Sequence, residues 1–219
     1  MGPRFPKAAP MTQLDLASGL LDAGAVRLSP KAPFTWASGL KSPIYCDNRQ
    51  LLGFPELRSI IKQTLAERAA ELKPTLIAGT STAGIPWAAL VADLLGLPMA
   101  YVRPEPKKHG MGRQVEGPHT DGQRVVLLED LISTGGSSIK CVQALRHEDA
   151  EVLEVLALFS YGLPQAEQAF QAAGVGLRVL ATFEDLALRA REKQILDGSD
   201  QQSLSEWRAD TVAWSKKHE

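Results

Sequence analysis

The chain has 219 residues, 44% of them hydrophobic and 22% charged, with a net charge of −1. Those figures suit a globular domain with a sizeable core, and they exclude a global attraction to nucleic acid or to a membrane surface. Two cysteines, Cys46 and Cys141, stand far apart with no paired spacing, so a cytoplasmic protein with free thiols is expected.

Residues 1–11 hold three prolines and no apolar run, which points to a disordered leader rather than a signal peptide. One domain is expected over 12–219, with an N-terminal part at about 12–53, a core at about 54–182 and C-terminal helices at about 183–215. Residues 14–21 read as a short amphipathic helix with Thr12 as a cap. Residues 25–49 are irregular and β-rich, with turn signals at Ser38-Gly39 and Asp47-Asn48. Pro55 suits the first turn of a helix to about Leu72.

Alternation follows: strands at 76–79, 98–102, 125–128, 152–159 and 177–180, and helices at 83–95, 137–146 and 165–173. Helices starting near Phe183 and Leu204 close the chain. The apolar stretch 85–102 is interrupted by Asp93, Gly96 and Pro98, so it reads as a buried helix and strand, not a membrane span. This order implies a mainly parallel twisted sheet with helices on both faces.

The segment from Arg103 to Gly122 is too long for an ordinary connection. It carries Arg103, Lys107, Lys108 and Arg113, with His109, Gly110 and Gly112. A mobile cationic flap over an anionic substrate is the functional reading; a solvated loop is the bland one.

The run Val125-Val126-Leu127-Leu128-Glu129-Asp130-Leu131-Ile132-Ser133-Thr134-Gly135-Gly136-Ser137-Ser138 holds the most chemistry. Four aliphatic residues lead to two carboxylates at a strand's carboxyl end, where open α/β sheets bind ligands. Small residues at a helix start then offer N–H groups to an anion. Acids do not bind that anion, so they are set for hydroxyls or a metal. A ribose 5-phosphate satisfies both halves. The sequence Thr80-Ser81-Thr82-Ala83-Gly84 is a second small-residue loop between a strand and a helix, either an anion site or a plain helix cap.

This run resembles the phosphoribosyl-diphosphate motif of the type I phosphoribosyltransferases. The flap Arg103-Pro104-Glu105-Pro106-Lys107-Lys108-His109-Gly110 resembles the catalytic loop of the orotate branch of that family. The segment from Phe34 through Lys41, Tyr45 and Asp47 resembles its N-terminal hood. The resemblance implies the type I phosphoribosyltransferase fold with a small hood and a long flexible catalytic loop. It implies transfer of the phosphoribosyl group from phosphoribosyl diphosphate to N1 of orotate, giving orotidine 5′-monophosphate and pyrophosphate for pyrimidine synthesis. Mg²⁺ is the implied cofactor. The implied assembly is a homodimer whose flap reaches the neighbouring site, with no nucleic-acid or membrane partner.

On the same resemblance, Lys107, His109 and Asp130 are the catalytic candidates. Arg103, Lys107 and His109 would hold the diphosphate, as would the backbone of Thr80 through Gly84. Glu129 and Asp130 would meet the ribose hydroxyls, directly or through Mg²⁺. Leu131, Ile132, Ser133, Thr134, Gly135, Gly136 and Ser137 would wrap the 5′-phosphate. Ser133 would also touch orotate, with Lys41 and Tyr45 as further candidates. The chain departs from the best-known family pattern at Ala37, Tyr45, Cys46, Ala83 and Pro104. The turn Ser160-Tyr161-Gly162-Leu163-Pro164 lacks the arginine found there elsewhere. A purine phosphoribosyltransferase and a non-catalytic phosphoribosyl-diphosphate sensor are the alternatives.

Overall fold

The structure, a computed structural model, describes residues 13–36, 38–105 and 114–218. In chain order the hood comprises α1 (Gln13–Asp22), β1 (Val26–Leu28), β2 (Phe34–Thr35), β3 (Lys41–Ser42), β4 (Ile44–Cys46) and a 3₁₀ turn, Asn48–Gly53. The core follows with α2 (Pro55–Glu71), β5 (Leu76–Thr80), α3 (Gly84–Leu95), β6 (Met99–Val102), β7 (Val115–Glu116), β8 (Arg124–Ile132), α4 (Gly136–His147), β9 (Glu151–Ser160), α5 (Pro164–Ala173) and β10 (Gly176–Thr182). Three helices end the chain: α6 (Phe183–Glu192), α7 (Gly198–Ala209) and α8 (Thr211–Lys216).

Local chemistry explains the helix ends. Proline begins α2 and α5, where the missing N–H costs nothing. Gly96 and Gly174 end α3 and α5 in left-handed conformations. Thr182 and Asp185 form a capping box at the start of α6. In α2, Leu57, Ile61, Leu65 and Ala69 repeat every fourth residue and are buried, giving the helix one apolar stripe.

The main sheet has the order β10-β9-β8-β5-β6-β7. All its pairings are parallel except β6 with β7. Successive side chains of the central strands enter opposite cores. Ile77, Val126, Leu128, Leu156 and Leu158 pack in one core with α1, α2, α3 and α6. Leu76, Ala78, Val125, Leu127, Val155 and Ala157 pack in the other with α4 and α5. Burial on both faces is why β5 is apolar throughout and does not alternate.

Three expectations change. The strand expected at 125–128 continues through both acids to Ile132, because β9 pairs with it as far as Ile132 with Ser160. Charge at Glu129 ended the apolar run in the sequence, but hydrogen bonds satisfy that carboxylate inside the sheet. The segment after Arg103, read as featureless to Gly122, contains the edge strand β7, too short to show a period. The end of the chain forms three helices, not two, because Asp210 caps a separate α8.

Chain direction in the sheet diverges at its centre. From β5 the chain moves to β6 on one side, whereas β8, β9 and β10 lie on the other. This is a topological switch point, and the crevice beyond the carboxyl ends of β5 and β8 is the ligand position in such sheets.

Candidate active site

Both small-residue loops open into that crevice. The first follows β5, where the Ser81–Thr82 peptide bond is cis and the Ser81 amide donates to the Val102 carbonyl at 2.7 Å. Helix α3 starts hard against β8: a Cβ on Gly84 would lie 2.4 Å from the Leu128 carbonyl oxygen and 2.5 Å from Thr80 Oγ1. Only glycine permits that approach.

The second loop follows β8. Gly135, at φ 80°, precedes α4, and no side chain caps the first turn. A Cβ on Gly135 would meet the Phe170 ring at 2.9 Å, so the left-handed turn and the close ring both require glycine. The first-turn amides of α4 lack intrahelical acceptors, and the positive end of the helix dipole adds to their attraction for an anion. Ser133, Thr134, Gly136 and Ser137 lie on this turn, with Thr134, Gly136 and Ser137 exposed.

The acid pair lies between the loops. Glu129 is 6% exposed. Its Oε1 accepts from Thr80 Oγ1 at 2.5 Å and from the Asp130 amide at 3.1 Å, and its Oε2 accepts from Ser138 Oγ at 2.9 Å. Asp130 is half-buried, and its carbonyl accepts from Asn48 Nδ2 at 2.6 Å. Burial pushes the Glu129 carboxyl up to about 7, and the Asp130 charge adds to the rise. Burial also raises Asp130. Two crowded acids at one strand end favour a cation or a proton nearby.

The flap starts from a ribbon. Tyr101 and Val102 pair with Glu116 and Val115; the Arg103 amide donates to the Gln114 carbonyl at 2.9 Å, and Gln114 Nε2 donates to the Arg103 carbonyl at 3.1 Å. Arg103 is half-buried with Nε 3.6 Å from a Glu116 carboxylate oxygen. Lys140 on α4 pairs with Glu105, tying the segment after Arg103 to the helix that follows β8. The candidates Lys107 and His109, together with Ala37, fall outside the described residues.

The hood is held from two sides. Lys41 donates its amide to Ser215 Oγ on α8 at 2.8 Å and its ammonium to Thr35 Oγ1 at 2.9 Å. Tyr45 lies against Phe34 with ring centroids 5.6 Å apart, and the Arg27 guanidinium covers both rings. Cys46, the next residue on β4, donates to Asn48 Oδ1 at 3.2 Å. Through Asn48 the hood reaches the end of β8. Trp36 stacks on Tyr161 at 5.7 Å, and the Tyr161 amide donates to the Ile132 carbonyl, so an aromatic pair joins hood and core where the arginine-bearing turn is absent.

Direct contacts therefore join Thr80 to Glu129 and Ser81 to Val102, the residue before Arg103, while the turn from Ser133 to Ser137 follows β8 and Lys41 and Tyr45 lie on the hood. Sequence reasoning missed Asn48 and Ser215, and the bond from Ser138 to Glu129, as the polar ties between these parts. Their only sequence signal was a small polar residue at a position that must be buried.

A family model described as a phosphoribosyl transferase domain matches residues 49–172. The chain is 49% identical over 203 residues to an orotate phosphoribosyltransferase of Listeria monocytogenes serotype 4b, covering 92% of this chain and 97% of that protein. The chain belongs to the orotate phosphoribosyltransferase family. A family member from Cytophaga hutchinsonii is 46% identical, with 92% of this chain and 98% of that protein covered. Among solved structures, the orotate phosphoribosyltransferase of Aeropyrum pernix superposes with a TM-score of 0.70 at 33% identity, over 83% of this chain and 99% of that one. The type I phosphoribosyltransferase fold expected from the three motifs is the fold observed.

Proposed function

We propose that the protein transfers the 5-phosphoribosyl group of phosphoribosyl diphosphate to N1 of orotate, forming orotidine 5′-monophosphate and releasing pyrophosphate. The observation that carries the reading is the pair of anion-binding loops at one switch point with a carboxylate between them. It matches a donor with phosphate at one end, diphosphate at the other and a diol in between. The choice of orotate rests on similarity to relatives of that name.

The open turn from Ser133 to Ser137 receives the 5′-phosphate on its amides and hydroxyls, and Asp130 faces the ribose diol. As the C1–oxygen bond breaks, positive charge grows on the sugar as in other glycosyl transfers, and the Asp130 carboxylate stabilises it. The backbone of Thr80 through Gly84, with Arg103, Lys107 and His109, binds the diphosphate and stabilises the charge on the departing oxygens. The flap excludes water while bound. Ser133, Lys41 and Tyr45 are the residues assigned to orotate.

Mg²⁺ fits this donor set, since it commonly takes one or two carboxylates with substrate phosphates, and the half-buried Asp130 carboxylate would hold it together with the donor's phosphates. Bound there, it would neutralise phosphate charge. The proposed assembly is a homodimer with the flap shared across the interface. A cytoplasmic setting accords with the free thiols of Cys46 and Cys141. Among the described residues no helix is long and apolar enough to cross a membrane.

The test is the loss of orotate absorbance on mixing protein, Mg²⁺, orotate and phosphoribosyl diphosphate. Turnover is expected with orotate and not with adenine or hypoxanthine. Turnover with a purine alone, or with neither, would overturn the reading.

A further inference from the structure

The two acids of the motif do not share one environment. Asp130 is half-buried at the crevice, whereas Glu129 is closed in, and its carboxylate oxygens are engaged by Thr80, the Asp130 amide and Ser138. Thr80 is 3% exposed and Ser138 is fully buried. Thr80 ends β5 and opens the loop toward the diphosphate; Ser138 lies in the first turn of α4, the turn that would receive the 5′-phosphate. These groups come from opposite sides of the switch point and have no direct bond to each other among the described contacts.

We infer that Glu129 is a positioning residue: its buried carboxylate clamps the diphosphate loop to the phosphate helix and sets the spacing of the two anion sites, leaving Asp130 as the acid that meets the ribose. The inference rests on the phosphoribosyl-transfer reading. A buried carboxyl group with three hydrogen-bond donors is held firmly, because breaking any of these bonds would leave a buried polar group unpaired. It is therefore a stiff link. A donor molecule with an anion at each end binds best when both sites are already at the right separation, and fixed geometry lowers the ordering cost of binding and reaction. Losing the link should weaken binding of the phosphoribosyl donor and leave orotate binding intact.

The amide of Glu129→Gln keeps an acceptor for Thr80 and can donate to Ser138, whose hydroxyl can rotate to accept. Glu129→Ala removes the link. The double variant Thr80→Val with Ser138→Ala removes it from the other side and leaves the acid in place. Steady-state kinetics of these three and of Asp130→Asn decide the matter, after wild-type turnover with orotate has tested the parent reading separately. The expected result is that Glu129→Gln keeps kcat/KM for phosphoribosyl diphosphate within about threefold of wild type. Glu129→Ala and the double variant should lose about 10- to 100-fold, the scale of leaving buried polar groups unpaired. That loss should lie in the KM for the donor, with the KM for orotate unchanged. A merely structural residue would disturb both KM values together.

Should Glu129→Ala fail to fold, the double variant carries the test. A Glu129→Gln variant as impaired in kcat as Asp130→Asn would place the Glu129 charge on the substrate and overturn the inference, as would a double variant with wild-type kinetics.

Discussion

Gly84→Ala tests the joint between the diphosphate loop and the sheet. The added methyl would lie 2.4 Å from the Leu128 carbonyl oxygen and 2.5 Å from Thr80 Oγ1, far inside contact distance. Neither neighbour yields readily. The carbonyl belongs to the middle of a buried central strand, and the hydroxyl is held by Glu129. Helix α3 must therefore move away from β8. Overpacking of this kind costs about 1–3 kcal/mol, and for a chain of this size each kcal/mol lowers the melting temperature by about 2–4 °C. The expected fall is about 2–12 °C by scanning calorimetry. The KM for phosphoribosyl diphosphate should rise with it, since the start of α3 carries the diphosphate loop. Gly198→Ala is the control: nothing lies within 4 Å of its added methyl, and both quantities should stay at wild-type values. A Gly84→Ala protein that melts with wild type and keeps its donor KM would refute the reasoning.

Lys107→Ala should lower kcat far more than it weakens donor binding, because a cation facing a departing anion acts chiefly in the transition state; a change in KM alone would remove Lys107 from that role. Asp130→Asn should abolish most turnover yet stabilise the ligand-free protein at pH 8. Both acids titrate higher in the fold than in the unfolded chain, so their contribution to stability is complete below the ordinary carboxylate range. It is lost as pH rises through the raised values, about 7 for Glu129. The melting-temperature advantage of the variant should therefore shrink at pH values near 4, and an advantage that persists there would contradict the assignment. Burial pushes the Cys141 thiol up to about 12 and raises Cys46 as well, so neither should react quickly with a disulfide reagent at pH 8 until the protein is unfolded. Rapid labelling of native protein would show a more open hood or α4 face.

The parallel sheet was legible because its strands are buried on both faces. Leu76-Ile77-Ala78 and Val125-Val126-Leu127-Leu128 are continuous apolar runs, and helices with an apolar stripe stand between them. The turn after β8 was legible for a similar reason: glycines and hydroxyls after a strand form a local pattern. What stayed hidden was long-range. Nothing local to Glu129 shows that Thr80, 49 residues away, and Ser138 take up its carboxylate. Nothing near Lys41 shows that Ser215, 174 residues away, holds its amide. The end of β8 was misplaced for the same reason, since a charged residue closes an apolar run until its distant partners are known. The β-ribbon at the base of the flap escaped because two-residue strands have no period to read.

The most direct test of the account is a crystal structure of the protein with phosphoribosyl diphosphate bound. The 5′-phosphate should lie on the first turn of α4 at Ser133 through Ser137, the ribose hydroxyls within hydrogen-bond reach of Asp130, and the diphosphate against Thr80 through Gly84. The Glu129 carboxylate should still be bonded to Thr80 and Ser138. A donor bound away from the switch point, for instance in the cleft lined by Leu163, Phe170 and Leu177, would contradict it.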